Sequence, residues 1–95
     1  MSSHVFVGVF ALGRVVATAG VMAKVSEDER ISALTRHINA DWGEICDEDK
    51  VANDGALAHG DGRLMSVYRT VGGMKYWIIT EHDRSVTTLL LPEEY

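Results

Sequence analysis

The sequence predicts an α+β fold: an antiparallel meander of three to four strands with two helices packed on one face, as a single domain over residues 1–95. Three observations carry that expectation. Residues 63–91 contain three runs rich in Val, Ile, Tyr, Trp and Thr, separated by Gly72-Gly73 and by His82-Asp83-Arg84. Ser26-Glu27-Asp28-Glu29 has the form of a capping box and leads into apolar residues at helical spacing. A second, more polar helical segment then runs from Asp47 to His59 and is stopped by Gly60-Asp61-Gly62.

In chain order, Val5 to Thr18 is rich in Val and Phe with breaks at Gly8 and Gly13, which predicts one or two short strands around a Gly13-Arg14 turn or bulge. One of these is available as a fourth strand of the sheet. AGVMAKV after it suits a short helical turn. Ser26 can cap the amide of Glu29, and three acids sit at the positive end of the helix dipole. Ile31, Leu34 and Ile38 form one apolar stripe, so a helix is expected over 27–39. Asn39 to Gly43 is a break. In the helix that follows, Val51, Ala52, Leu57 and Ala58 are the expected inward residues. The strands are expected over Arg63–Val71, Met74–Glu81 and Ser85–Leu91, with a Gly72-Gly73 hairpin turn and Pro92 ending the sheet. Trp77, mid-strand beside Ile78 and Ile79, is expected in the core. Trp42, just past a helix end, reads as a clamp closing that helix on the sheet.

Composition narrows the function classes. The formal charge is −5. From Ser26 to Asp61 ten acids face three bases, a net of −7, and the rest of the chain has four acids and six bases, a net of +2. The acidic half disfavours direct nucleic-acid binding there, since phosphate affinity needs Lys and Arg. It suits a protein partner with a basic surface, through Asp41, Trp42, Glu44, Asp47, Glu48 and Asp49. One Cys, Cys46, allows no internal disulfide and fits a reducing cytoplasm. Its acidic neighbours work against an activated thiolate, so a small packed residue is expected. The apolar run VFVGVFALG lacks the basic flank of a signal peptide and is too short to span a bilayer.

No metal or cofactor is expected. His37 and Asp41 share a helical spacing but make only two ligands, and a calcium loop starting at Asp47 fails because its fifth position is Val51. No phosphate-binding glycine loop follows a strand. The remaining chemistry is acid–base. His37, Arg63, Tyr68, Asp83 and Arg84, with Glu81 and His82 nearby, are the residue types of a metal-independent nuclease, provided they converge on one cleft. A third reading is a structural homodimer that pairs through a sheet edge.

RH(x3)DWG at Arg36 to Gly43, then Asp49, Asn53, Gly62-Arg63, Ser66-x-Tyr68 and WIITEHDRSVTTLLLPEEY, together resemble a group of small "plasmid-related" proteins of plasmids, integrated elements and phages. The resemblance spans roughly residues 34–95, and the group has Gly before DWG where this chain has Ala40. What it implies is a mobile-element protein, non-enzymatic, that binds and antagonises a host defence protein of restriction or CRISPR type. A methyltransferase activity, a label attached to some of the group, would need a methyl-donor-binding sheet for which 95 residues leave no room.

Overall fold

The computed structural model of the chain describes residues 6–95. Among them are four strands, β1 (Arg14–Ala17), β2 (Leu64–Arg69), β3 (Lys75–Thr80) and β4 (Val86–Leu90), and three α-helices, α1 (Ala19–Lys24), α2 (Glu27–Ile38) and α3 (Asp47–His59). The fold is α+β, and the sheet order is β1-β4-β3-β2. The three C-terminal strands form the expected antiparallel meander, with Val67 opposite Trp77 and Ile78 opposite Leu89. The fourth strand departs from that pattern. β1 joins β4 in parallel, Val16 beside Thr88, so the sheet is mixed. A parallel neighbour needs a long crossover, and here all three helices and two strands lie between the partners. Val7 to Phe10 forms no strand of its own; Val9 N–H instead bonds the carbonyl of Ile38 at the end of α2.

Strand alternation divides the sheet into two faces. Leu64, Ser66, Tyr68, Tyr76, Ile78, Thr80, Thr87 and Leu89 point to the helices and are all buried. With Val21, Val25, Ala33, Leu34 and Ile38 from the helical side they build the core. Ser26 caps α2 as its sequence implies, its hydroxyl accepting from Glu29 N–H at 3.2 Å. Trp77 is not in that core. Tyr76 and Ile78 take the inward positions, which leaves Trp77 half-buried on the opposite face.

α3 spans the expected residues, but its inward side differs. Val51 is 71% exposed, Ala52 and Ala58 are exposed, and Leu57 is half-buried. The one buried residue is Asn53. The reason is where the helix lies. α3 runs beside β2, an edge strand, whose outward amide and carbonyl need polar partners. Asn53 Oδ1 accepts from Met65 N–H at 3.1 Å and Asn53 Nδ2 donates to Met65 carbonyl at 2.7 Å. Cys46, at the cap position before α3, is exposed rather than packed.

α2 ends in a Schellman motif. Ala40 N–H bonds the carbonyl of His37, Asp41 N–H bonds that of Arg36, and Ala40 takes a left-handed φ of 63°. Glycine has no steric penalty there and alanine does. Three residues on, Gly43 has φ 73°, and a Cβ on it would collide with the carbonyl oxygen of Val67. The two positions therefore predict opposite outcomes. Ala40→Gly raises stability by about 1 kcal/mol, a melting shift of roughly 4–8 °C. Gly43→Ala lowers the melting temperature, because both the left-handed backbone and the strand contact resist a methyl group. Thermal melts followed by circular dichroism check both.

Candidate functional site

The RHxxxDWG segment folds into the corner between α2 and α3. Arg36 Nε donates to Asp41 Oδ2 at 2.8 Å, and its Nη2 reaches Oδ1 at 3.2 Å. The guanidinium holds the Asp41 carboxyl below its usual range. Arg36 also lies over the Tyr68 ring, 4.7 Å from its centroid. Tyr68 hydroxyl in turn donates to the Asp41 carbonyl. Trp42 is buried, and its Nε1 donates to Asp54 Oδ1 on α3 at 3.1 Å. Its carbonyl accepts from Val67 N–H at 3.1 Å, while Glu44 N–H donates to Val67 carbonyl at 2.8 Å. Trp42 to Glu44 thus pairs with β2 like a fragment of a strand, directly beside the amide pairing made by Asn53. Trp42 is buried, but its bonds join the edge of the sheet to α3, whereas its position after α2 suggested a clamp closing that helix on the sheet.

His37 sits at the centre of this corner with no exposed surface. Its Nδ1 meets the Ser66 hydroxyl and its Nε2 meets Thr80 Oγ1 at 2.9 Å. Thr80 continues to Thr87 Oγ1 at 2.7 Å, and Thr87 hydroxyl bonds the Leu12 carbonyl at 2.7 Å. A carbonyl only accepts. Thr87 must therefore spend its proton on Leu12, Thr80 must donate to Thr87, and His37 Nε2–H must donate to Thr80. Nδ1 is then left to accept from Ser66. The chain of bonds specifies one neutral tautomer. Phe10 and Trp42 close the ring edge-on, with centroids 5.3 and 5.6 Å away. Burial pushes the imidazole pKa down to about 3. A histidine so enclosed is not available for proton exchange with a substrate.

The other candidate catalytic residues are dispersed. Tyr68 is buried on the helical face with its hydroxyl engaged, and burial raises its pKa. Arg63 lies on the opposite face of the sheet, donating to Tyr95 hydroxyl at 3.0 Å and paired with Glu81 at 3.4 Å. Asp83 is at the β3–β4 turn, where its carboxylate accepts from Ser85 N–H and hydroxyl. Arg84 is the backbone outlier of that turn, with φ 61°. Its guanidinium is spent on carbonyls: Gly62 at 2.6 Å, Glu81 and His82 at 3.2 Å, and Ala56 of α3 at 3.3 Å. It ties the C-terminal end of α3 to the turn, a favourable place for a cation. The strain of a left-handed Arg, of order 1–3 kcal/mol, persists because these bonds over-determine its position.

The acidic set also divides. Asp41 is held by Arg36, Trp42 is buried, and Glu44 accepts from Arg69 Nε at 2.9 Å. That last bond has a local cause. Arg69 stands directly opposite Lys75 in the β2–β3 register, a like-charge pair that Glu44 offsets. Asp47, Glu48 and Asp49 remain, all exposed in the first turn of α3 and in none of the ion pairs among the described residues. Among the described residues no three His, Cys, Asp or Glu side chains cluster to hold a metal, and no helix is long and apolar enough to cross a membrane.

Sequence reasoning passed over one feature, a groove of about 290 Å³ on the open face of the sheet, lined by Arg63, Met65, Trp77, Ile79 and Tyr95. The alternation of Tyr76-Trp77-Ile78 already contained the signal, since only one of two neighbouring aromatic residues in a strand can face the core. Fold and corner together define a small two-layer α+β domain whose most distinctive motif is internal scaffolding. No protein-family model, curated protein or solved structure matches the chain.

The buried imidazole makes stability depend on pH. In the unfolded chain His37 titrates near its ordinary 6.5, and in the folded chain near about 3. Above pH ~6.5 it is neutral in both states and contributes no slope. Below that, only the unfolded chain takes the proton, so stability falls by about 1.4 kcal/mol per pH unit until the folded group also titrates. Urea unfolding at stepped pH should show about 2 kcal/mol lost between pH 6.5 and pH 5. His37→Gln should be less stable at neutral pH and should lose most of that slope.

Proposed function

We propose that the chain is a non-enzymatic protein-binding module that meets a basic partner surface through Asp47, Glu48 and Asp49. The observation that carries this is how the polar side chains are allocated. His37, Tyr68, Asp83 and Arg84 all satisfy internal hydrogen bonds, and Arg63 is on the other side of the sheet. The three carboxylates of the α3 turn face solvent on a helix whose middle and C-terminal half are tied to the rest of the fold by Trp42 at Asp54 and Arg84 at Ala56. Exposed charge of this kind supplies association rate and specificity more than raw affinity. The resemblance to mobile-element proteins directs the choice of partner toward a host defence protein, a restriction or CRISPR nuclease whose nucleic-acid surface is basic. Antagonism would then be stoichiometric: the acidic turn occupies cations that otherwise meet phosphate.

The experiment is affinity capture from a host lysate followed by mass spectrometry, with wild type beside Asp47→Lys/Glu48→Lys/Asp49→Lys. Loss of a captured basic protein with an unchanged circular dichroism spectrum is the expected outcome. The triple reversal should cost the fold little beyond the helix-dipole contribution of about 0.3–1 kcal/mol per charge. Capture at undiminished strength assigns the contact elsewhere.

A further inference from the structure

The two edges of the sheet are treated differently. β2 is covered by the Trp42–Glu44 backbone and the Asn53 amide. β1 has no such cover among the described residues. In its parallel ladder with β4, Arg14 N–H bonds the carbonyl of Ser85 and Thr18 N–H bonds that of Leu89. Alternate residues of a strand turn their backbone groups to the same neighbour, so Arg14, Val16 and Thr18 are spent on β4, while Val15 and Ala17 turn theirs outward. No backbone bond outside the ladder reaches either of them among the described residues. The usual protections of an edge are missing too, since β1 reads Arg-Val-Val-Ala, with no Pro or Lys and its one charge at the start. On the helical side this edge borders a groove of about 440 Å³ whose lining includes Val15, Ala17, Met22 and Ile31, with Glu27 and Arg30 beside them. Val15 is 40% exposed and Met22 57%.

We propose that β1 pairs antiparallel with β1 of a second copy, about a two-fold axis through Val16, so that two four-stranded sheets become one with the helices of both copies on the same side. Outward N–H and C=O groups call for a strand as the occupant, and three features select this chain's own. The first is register. With Val15 opposite Ala17 of the copy, and Ala17 opposite its Val15, each pair exchanges both N–H···O bonds, and neither outward residue is left over. The second is size. Opposite residues share a face, so each Val15 enters the groove beside the other copy's Ala17, whose small side chain leaves the space. The larger residue of each strand meets the smaller residue of the other, which a two-fold copy supplies at both positions. On the open face Val16 meets its counterpart at the axis, a β-branched pair at the close spacing of a non-hydrogen-bonded position. The third is charge. Arg14 stands opposite Thr18 rather than its own copy, and the groove carries one acid, Glu27, and one base, Arg30. This surface is separate from the α3 turn and does not require that reading to hold.

The test begins with the full wild-type chain. Sedimentation equilibrium between about 10 μM and about 1 mM protein should show monomer passing to dimer, the weak association expected of a small interface. Amide hydrogen exchange gives the register. Val15 and Ala17 should exchange about tenfold or more slowly in concentrated than in dilute protein, while Val16 and Thr18, already bonded within one copy, should not change. Val16 is half-buried at the open surface, so the monomer accommodates a polar side chain there. Val16→Lys and Val16→Glu each set two like charges together at the axis, and each should be monomeric with an unchanged circular dichroism spectrum. Mixed in equal amounts, the two variants should associate again. Val15→Pro, which removes an outward N–H and no bond to β4, should also be monomeric. Charge reversal of Asp47, Glu48 and Asp49 should leave the dimer in place. A wild-type chain that stays monomeric at about 1 mM, a dimer whose added protection lies elsewhere than Val15 and Ala17, folded Val16 variants that dimerise separately, or variants that fail to associate when mixed would each overturn the proposal.

Discussion

His37 joins the helical layer to the sheet through both ring nitrogens, and that one arrangement constrains most of the molecule. It requires Ser66 on β2, Thr80 on β3 and Thr87 on β4 to stand in line across the buried face, and it reaches the N-terminal segment through the Leu12 carbonyl. A buried polar group without a partner costs about 1–3 kcal/mol, so a shift of register on any of these strands would leave one member of the chain unsatisfied. Among the described residues no buried side-chain polar atom lacks a partner. An apolar core of this size would tolerate several packings; the directed series from Ser66 to Leu12 tolerates one. The inserted histidine is thus a specifier of register before it is anything else.

The same corner solves the edge problem. A strand with a free side invites pairing with another chain. β2 is protected by two devices placed side by side, the Asn53 amide at Met65 and the Trp42–Glu44 backbone at Val67. A homodimer built on sheet edges would have to use β1, which is four residues long. The DWG sequence follows from these demands. Asp41 gives Arg36 its partner and Tyr68 its acceptor, Trp42 spans from the His37 ring to Asp54, and Gly43 admits the Val67 carbonyl where a side chain would not fit.

Local rules made much of this legible. The capping box located α2, the acids after Cys46 located α3, and Gly72-Gly73 located the hairpin, because each depends on interactions within a few residues. What stayed hidden depends on distant partners. The parallel docking of β1 on β4 follows from a crossover through the helices, and no local pattern encodes it. The inward face of α3 was misread because an apolar stripe was sought where the neighbour is a strand edge that needs an amide. His37, Tyr68 and Arg84 resembled catalytic groups because the residue types that move protons or hold phosphate are also those that satisfy a buried backbone. Only position distinguishes the two uses, and position places Arg63 across the sheet from Tyr68.

That separation bears on the meaning of the net charge. A value of −5 suggests a uniformly acidic object, yet the charge is partitioned by a sheet one residue thick. The helical layer carries Glu27, Asp28, Glu29, Asp47, Glu48 and Asp49 beside Arg30, Arg36 and Lys50, while Arg14, Arg63, Arg69 and Lys75 belong to the open face, where Glu81 pairs with Arg63 and Glu44 with Arg69. At physiological salt the Debye length is about 8 Å, comparable to the packing distance of a helix on a sheet. Each surface therefore acts on a partner largely through its own charge. The sheet thus separates an aromatic-lined groove bordered by Arg63 from the acidic first turn of α3. The neutral histidine between the two layers, bonded to Ser66 and Thr80, joins them.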